Sequence, residues 1–450
     1  MRTSRRMLLS SFAACLHAAS SFNIDKAALS RVVSVIGVGV DSAHCADFMR
    51  AAQPHLINFR GVHAVRKSSD EPGHRVVLLD ETLQNERDLP DALQQAIASA
   101  SGHVSRCDVE IGYDNLSAQE ALRQLLPAGI GVPTGFEQVG HIVHLNLQPE
   151  QRPHSQIIGE VLLDKLRPRI RTVVNKVEEI SSEFRTLPLE LVAGDDDFDV
   201  TVQHGKARLR FAYDKVYWSS RLHTEHERIT KSFAPGDVVW DLFAGVGPFA
   251  VHAGKRGVRV LANDLNPHCC DALLGNVASN KLRGLVHVYN LDAATFAREA
   301  TAGLQAGDQS ALAALRMRAA APVVRRGRES APASGSTDAE EAAALEAESC
   351  MPAHILLNLP ADSIRFLGAL RELSDLLSSE PSLTPPVVHC YSFTRLEEPG
   401  EQLAESRERV AEALGRATPP PGLSVRSVRS VAPGKEFVVI EFPLARGRES

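Results

Sequence analysis

Near the middle of the chain an apolar run, Val238-Val239-Trp240, leads into DLFAGVGPF at residues 241–249, a turn built from small residues. Ala244, Gly245 and Gly247 crowd into it, and the carboxylate of Asp241 stands at its entrance. In a doubly wound sheet the first strand-to-helix turn lies under a ligand, and glycine lets the backbone approach that ligand without a Cβ in the way. The surrounding pattern agrees. Apolar strand candidates at 238–241, 258–263, 286–290, 355–358, 387–393 and 437–442 alternate with helical stretches, which predicts a parallel sheet covered by helices on both faces.

The turn also limits the ligand. The third glycine of the dinucleotide fingerprint is missing, and Pro248-Phe249 occupies the helix start that a pyrophosphate would need. Asp264 ends the second strand in VLANDLNP, where an acid can accept from both hydroxyls of a ribose. Asp292 follows the third strand in VYNLDA and is placed to accept from an adenine amino group. With Asp241 facing an amino group, this set suits S-adenosylmethionine. After the next strand, Asn358-Leu359-Pro360 resembles the Asn/Asp-Pro-Pro tetrapeptide with which methyltransferases acting on nitrogen grip a planar N–H edge. The expected architecture is α/β: a class I (Rossmann-like) S-adenosylmethionine methyltransferase domain preceded by two smaller α+β domains.

The domains are expected at 25–103, 104–200 and 201–450. In the first, RVVLLD (75–80) reads as a strand and DALQQAIASA (91–100) as a helix. In the second, LSAQEALRQLLP (116–127) carries a Ser117 cap with Glu120 three residues on, the capping-box spacing, and GHIVHLNL (140–147) reads as a strand. Five basic residues and no acid between Lys165 and Lys176 make a candidate phosphate-binding stripe in a chain whose net charge is −6. Residues from about 301 to 349 are of low complexity and are expected to form a disordered insertion.

No run of 18 apolar residues occurs, so a membrane span is excluded. Seven cysteines without a C-x-x-C pair suggest neither a disulfide framework nor a zinc knuckle. His223 and His226 flank Glu225 with no third ligand nearby, so no metal is expected. Residues 1–24 carry Arg2, Arg5 and Arg6, several serines and no acid, as in a mitochondrial targeting segment. The expected location is the mitochondrial matrix and cytoplasm, with the nucleus as a further compartment.

The run KVYWSSRLHTEHERI (215–229), followed by DLFAGVGPF and LLNLP, resembles the tRNA (guanine-37-N1)-methyltransferases of eukaryotes and archaea. So do IGEVLLDK (158–165), EFRTLPLELVAG (183–194), PVVHCYSF (386–393) and VRSVAPGKEFVVIEF (428–442). The resemblance implies methyl transfer from S-adenosylmethionine to N1 of the guanine 3′ to the anticodon, with the anticodon stem-loop and outer corner of tRNA held by the protein; a monomer is expected. It implies Glu225 as general base, Arg185 as catalytic arginine and Asn358 at the target base. Around the cofactor it implies His226, Tyr217, Asp241, Phe243, Gly245, Gly247, Asp264, Leu265, Asp292, Ala293 and again Asn358. Ser219-Ser220 stands where the family commonly has Asn-Pro. Two alternatives are an aminocarboxypropyl transferase of the wybutosine pathway and a tRNA-binding pseudoenzyme. GVGPF in place of the former's usual GIGYF, and retention of Asp264 with Glu225 and Arg185, argue against them.

The chemistry leads to the same residue types. Neutral guanine carries a proton on N1, so a base must remove it while a cation meets the charge that spreads onto O6.

Overall fold

The computed structural model describes residues 24–177, 186, 188–307, 310–317 and 350–444. They form two compact units. In the first, an antiparallel sheet has at its centre the strand Arg31–Asp41, whose apolar run is buried. Its neighbours are His74–Leu78 on one side and His103–Ile111 on the other. The latter strand crosses the 103/104 division, so the first sheet closes at Ile111 and not before it. The helix Asp91–Ser99 covers this sheet with Leu93 and Ile97. Further on, the expected capping box opens the helix Ala118–Leu125. Glu120 N donates to Ser117 Oγ at 3.2 Å, and Ser117 N donates to Glu120 Oε2 at 2.8 Å.

The second unit is built on a seven-stranded sheet. In chain order its strands are β1 (Val238–Asp241), β2 (Arg259–Asn263), β3 (Val286–Tyr289), β4 (His354–Leu357), β5 (Val387–Thr394), β6 (Ser424–Ala432) and β7 (Lys435–Pro443). They lie side by side as β3-β2-β1-β4-β5-β7-β6. β1 to β5 pair in parallel, with Val239 opposite Val260 and His354. The sheet is not wholly parallel as expected, because β7 inserts antiparallel between β5 and β6. A short connection allows only this: Lys435 follows Ala432 so closely that β6 and β7 must form a hairpin. β1 is buried throughout, as a central strand must be, and Trp240 is fully buried with its Nε1 donating to Cys350 O at 3.1 Å.

The low-complexity stretch is folded further than its composition suggests. The helix Ala293–Ala306 buries Ala300, Thr301 and Gly303, and the short helix Ser310–Leu315 buries Leu312 completely. Met317 N then donates to Val288 O on the edge strand β3 at 2.7 Å. Sparse apolar residues at helical spacing suffice here because the sheet already offers them a core. Residues 318–349 of the expected insertion, and residues 1–23 of the expected targeting segment, lie outside the described residues. Among the described residues no helix is long and apolar enough to cross a membrane, and the cysteines are free thiols.

Candidate active site

The order of the sheet reverses between β1 and β4, and the loops after β1, β2, β3 and β4 gather at their carboxyl ends, where open α/β sheets bind ligands. Asp241, last residue of β1, is completely buried and neither carboxylate oxygen has a hydrogen bond among the described residues. Burial pushes its carboxyl up to about 8, the Phe243 amide offsets part of the rise, and the nearby Asp264 adds to it. A buried carboxyl with no hydrogen bond among the described residues is costly, which marks Asp241 as a candidate ligand contact.

The two glycines of the turn serve different purposes. Gly247 has φ +91°, and a Cβ there would stand 2.2 Å from Leu273 Cδ1; it is required by packing within the protein. Gly245 has φ +54° and a Cβ there would meet no atom of the described residues within 4 Å, so packing within the protein does not require a glycine there. Its N–H donates to Asp264 Oδ2 at 2.8 Å, while Asp264 Oδ1 accepts from Asn266 N at 2.9 Å. Burial raises the Asp264 carboxyl against these two donors. Each oxygen retains a lone pair, as a ribose diol needs. Tyr217 and Leu265 are 48% and 42% exposed, and Leu265 adjoins Asp264, so apolar surface suited to a purine is present there.

Three expected cofactor residues act differently. Asp292 is the N-cap of the helix Ala293–Ala306, its Oδ1 accepting from Ala294 N and Thr295 N at 3.0 and 3.1 Å, which leaves Oδ2 for an amino group. The Ala293 side chain is buried in the core, so only its backbone can meet a ligand. Phe243 packs on that core with its ring 5.0 Å from Phe366. Asn358 follows β4, and its Oδ1 is buried with no partner among the described residues, a second unmet acceptor at the same sheet end. The turn behind it is held by Ser363, whose Oγ accepts from Leu359 N and donates to Leu357 O, both at 2.8 Å.

Glu225 lies in the helix His223–Ser232 and is 4% exposed. Arg228 grips it with two bonds of 3.0 and 2.9 Å, the Tyr391 hydroxyl donates to Oε1 at 2.9 Å, and Arg426 donates to Oε2. Arg228 continues to Glu441 at 3.2 Å, and Glu441 to His389 at 2.9 Å. The His389 hydrogen bond, outweighing burial, holds the Glu441 carboxyl down at about 2. With all lone pairs of Glu225 committed, one donor must leave before it can accept a proton. Arg426, 42% exposed, is the most accessible of the three. Arg185 lies outside the described residues.

Residues 118–197 match the family described as TYW2 N-terminal domain, and residues 200–305 the TRM5/TYW2 methyltransferase domain. A tRNA (guanine(37)-N(1))-methyltransferase of Coprinopsis cinerea is 36% identical over 436 residues, covering 94% of each chain. Proteins of the same name from Schizosaccharomyces pombe and Homo sapiens are 34% and 32% identical over 94% of this chain, and 93% and 75% of theirs. This chain belongs to the tRNA (guanine(37)-N(1))-methyltransferase family. The fold is shared with two solved structures: Trm5b from Pyrococcus abyssi (TM-score 0.56, 20% identity) and aTrm5 in complex with tRNALeu (0.59, 18%). Each match covers 91% of this chain and 99% of the other.

Within this methyltransferase fold, Asn263 is the positioning residue that the motifs did not single out. Completely buried, it donates to Leu242 O and Leu291 O at 3.3 and 3.0 Å and accepts from Leu291 N at 3.0 Å, joining the loops after β1 and β3. A polar residue closing the apolar run VLAN was the available signal. In the other unit, the basic stripe narrows. Lys165 donates to Tyr113 O and lies over the Tyr113 ring at 3.8 Å, which leaves Arg167, Arg169 and Arg171 as its exposed members, with Arg171 3.9 Å from Asp195.

Proposed function

We propose that this chain transfers a methyl group from S-adenosylmethionine to N1 of guanine 37 in tRNA. The observation that carries the reading is the pairing of a buried, donor-rich carboxylate, Glu225, with unmet acceptors at Asp241 and Asn358 where the sheet binds ligands. Asp264 would hold the ribose, Asp241 the amino group, and Asp292 the adenine. When bound, S-adenosylmethionine supplies an electrophilic methyl group to a nitrogen lone pair.

The chain's own residues have to create that lone pair. Glu225 takes the N1 proton, with Arg426 released from Oε2, while Arg228 and Tyr391 keep the carboxylate in place. Arg185 is proposed to meet the charge on O6, and Asn358 Oδ1 to accept from the N–H edge of the base. Arg167 and Arg169 are proposed to meet tRNA phosphates.

Incubation with labelled S-adenosylmethionine and unmodified transcripts tests this. Nuclease digestion should place the label in N1-methylguanosine from position 37, and a transcript with adenosine there should stay unlabelled. Label at another nucleotide, or an aminocarboxypropyl product, would refute the assignment.

A further inference from the structure

Glu227 comes two residues after Glu225 but takes no part in its network. Its Oε2 accepts from Lys231 Nζ at 3.3 Å, and its Oε1 lies 3.2 Å from His223 Nε2. From there a row of imidazoles runs inward. His223 Nδ1 is 3.0 Å from His204 Nδ1, and His204 Nε2 is 2.9 Å from His226 Nδ1. The row ends on His226 Nε2, which is buried with no partner among the described residues. The His226 ring itself is 3% exposed and meets Phe249, last residue of the glycine turn, edge-on at 4.5 Å.

Counting protons fixes the direction of this row. Three neutral imidazoles carry three N–H groups, and each of the two ring-to-ring bonds uses one. The third must sit at an end. A carboxylate only accepts, so Glu227 draws it onto His223 Nε2. His223 Nδ1 must then accept from His204, and His204 Nε2 must accept from His226 Nδ1. Burial keeps His204 uncharged, pulling it down to about 3, and lowers His226 well below the usual imidazole range. His252, 4.9 Å from His204, lends no proton to the row because its Nδ1–H is spent on Pro248 O at 2.7 Å.

We infer that Glu227 is a positioning residue: acting through His223 and His204, it holds His226 as the Nδ1–H tautomer and leaves Nε2 as a bare acceptor for the cofactor's amino group. This rests on the proposed function together with the family resemblance, which implies that His226 borders the cofactor beside the glycine turn. A surface carboxylate thereby sets the hydrogen-bonding polarity of a buried atom two rings away.

The full chain labelled with ¹⁵N-histidine tests it, in mildly alkaline buffer where a free imidazole is neutral. Long-range ¹H–¹⁵N correlation reports which nitrogen carries the proton, and His226 is assigned by its loss in His226→Gln. Wild type should show His226 protonated on Nδ1 alone. Glu227→Lys offers His223 a donor, so the row should reverse and place the proton on Nε2; S-adenosylmethionine affinity by calorimetry should then fall by roughly ten- to a hundredfold, as for one hydrogen bond to a charged group. A proton on Nε2 in the wild type, or a reversed tautomer with undiminished affinity, would overturn the inference. A wild-type chain that binds no S-adenosylmethionine at all would strike the functional reading, and this inference with it.

Discussion

At the scale of single residues, the two glycines of the turn are expected to separate folding from binding. Gly247→Ala adds a Cβ against Leu273 at a φ of +91° and should destabilise the protein by about 1–3 kcal/mol in chemical denaturation. Gly245→Ala meets no protein atom, so stability should fall by no more than about 1–2 kcal/mol, while cofactor affinity takes the larger loss. Equal stability losses with intact affinity would mean that both glycines serve packing. Asp241 gives a pH dependence. Its folded carboxyl titrates near 8, above the ordinary aspartate value, so the ligand-free fold holds this proton more tightly than the unfolded chain. The associated stability is fully present below about pH 4 and is lost as pH rises towards about 8. Meeting a cationic amino group requires the ionised form, so cofactor binding between about pH 6 and 7 should release a proton and tighten as pH rises. Calorimetry in buffers of different ionisation enthalpy should detect that proton, and Asp241→Asn should abolish it; its presence in the variant would assign it to another group.

At the scale of elements, the boundary of the insertion is the informative case. The helices Ala293–Ala306 and Ser310–Leu315 close one side of the sheet, and Met317 extends its edge. Deleting residues 303–346 should therefore cost about 2–5 kcal/mol, the scale of losing a buried leucine, whereas deleting 318–349 should cost less than about 1 kcal/mol because closure entropy varies slowly with loop length. Equal stability of the two deletions would show that Leu312 contributes nothing to the core. Six of the seven strands were legible because each is a short apolar run ended by a turn residue. β6 was not: SVRSVRSVA breaks its apolar residues with Arg426, Arg429 and serines and, as an edge strand, is exposed along much of its length. The site was legible to a similar degree. Asp241, Asp264 and Asn358 close apolar strands and stand out in sequence, but the partners of Glu225 are fixed by contacts spanning 166 and 201 residues, which no local pattern reveals.

At the scale of the whole molecule, the chemistry and its destination are separate questions. We propose that residues 1–24 direct the chain to mitochondria: fused to a fluorescent reporter they should send it there, and the reporter without them should stay in the cytosol; a reporter carrying the segment that remains diffuse would remove this expectation. In the proposed mechanism the reaction turns on Glu225. Glu225→Gln keeps the shape of the side chain but cannot take a proton from N1, and S-adenosylmethionine affinity measured on the same preparation serves as the check that the fold survives beside Arg228 and Arg426. The most direct measurement is the single-turnover rate of methyl transfer to guanine 37 at saturating tRNA. A fall of roughly 10²–10⁴-fold with cofactor affinity unchanged is the result expected of a general base. An undiminished rate accompanied by weaker tRNA binding would contradict it and leave Glu225 as a residue that only holds the RNA.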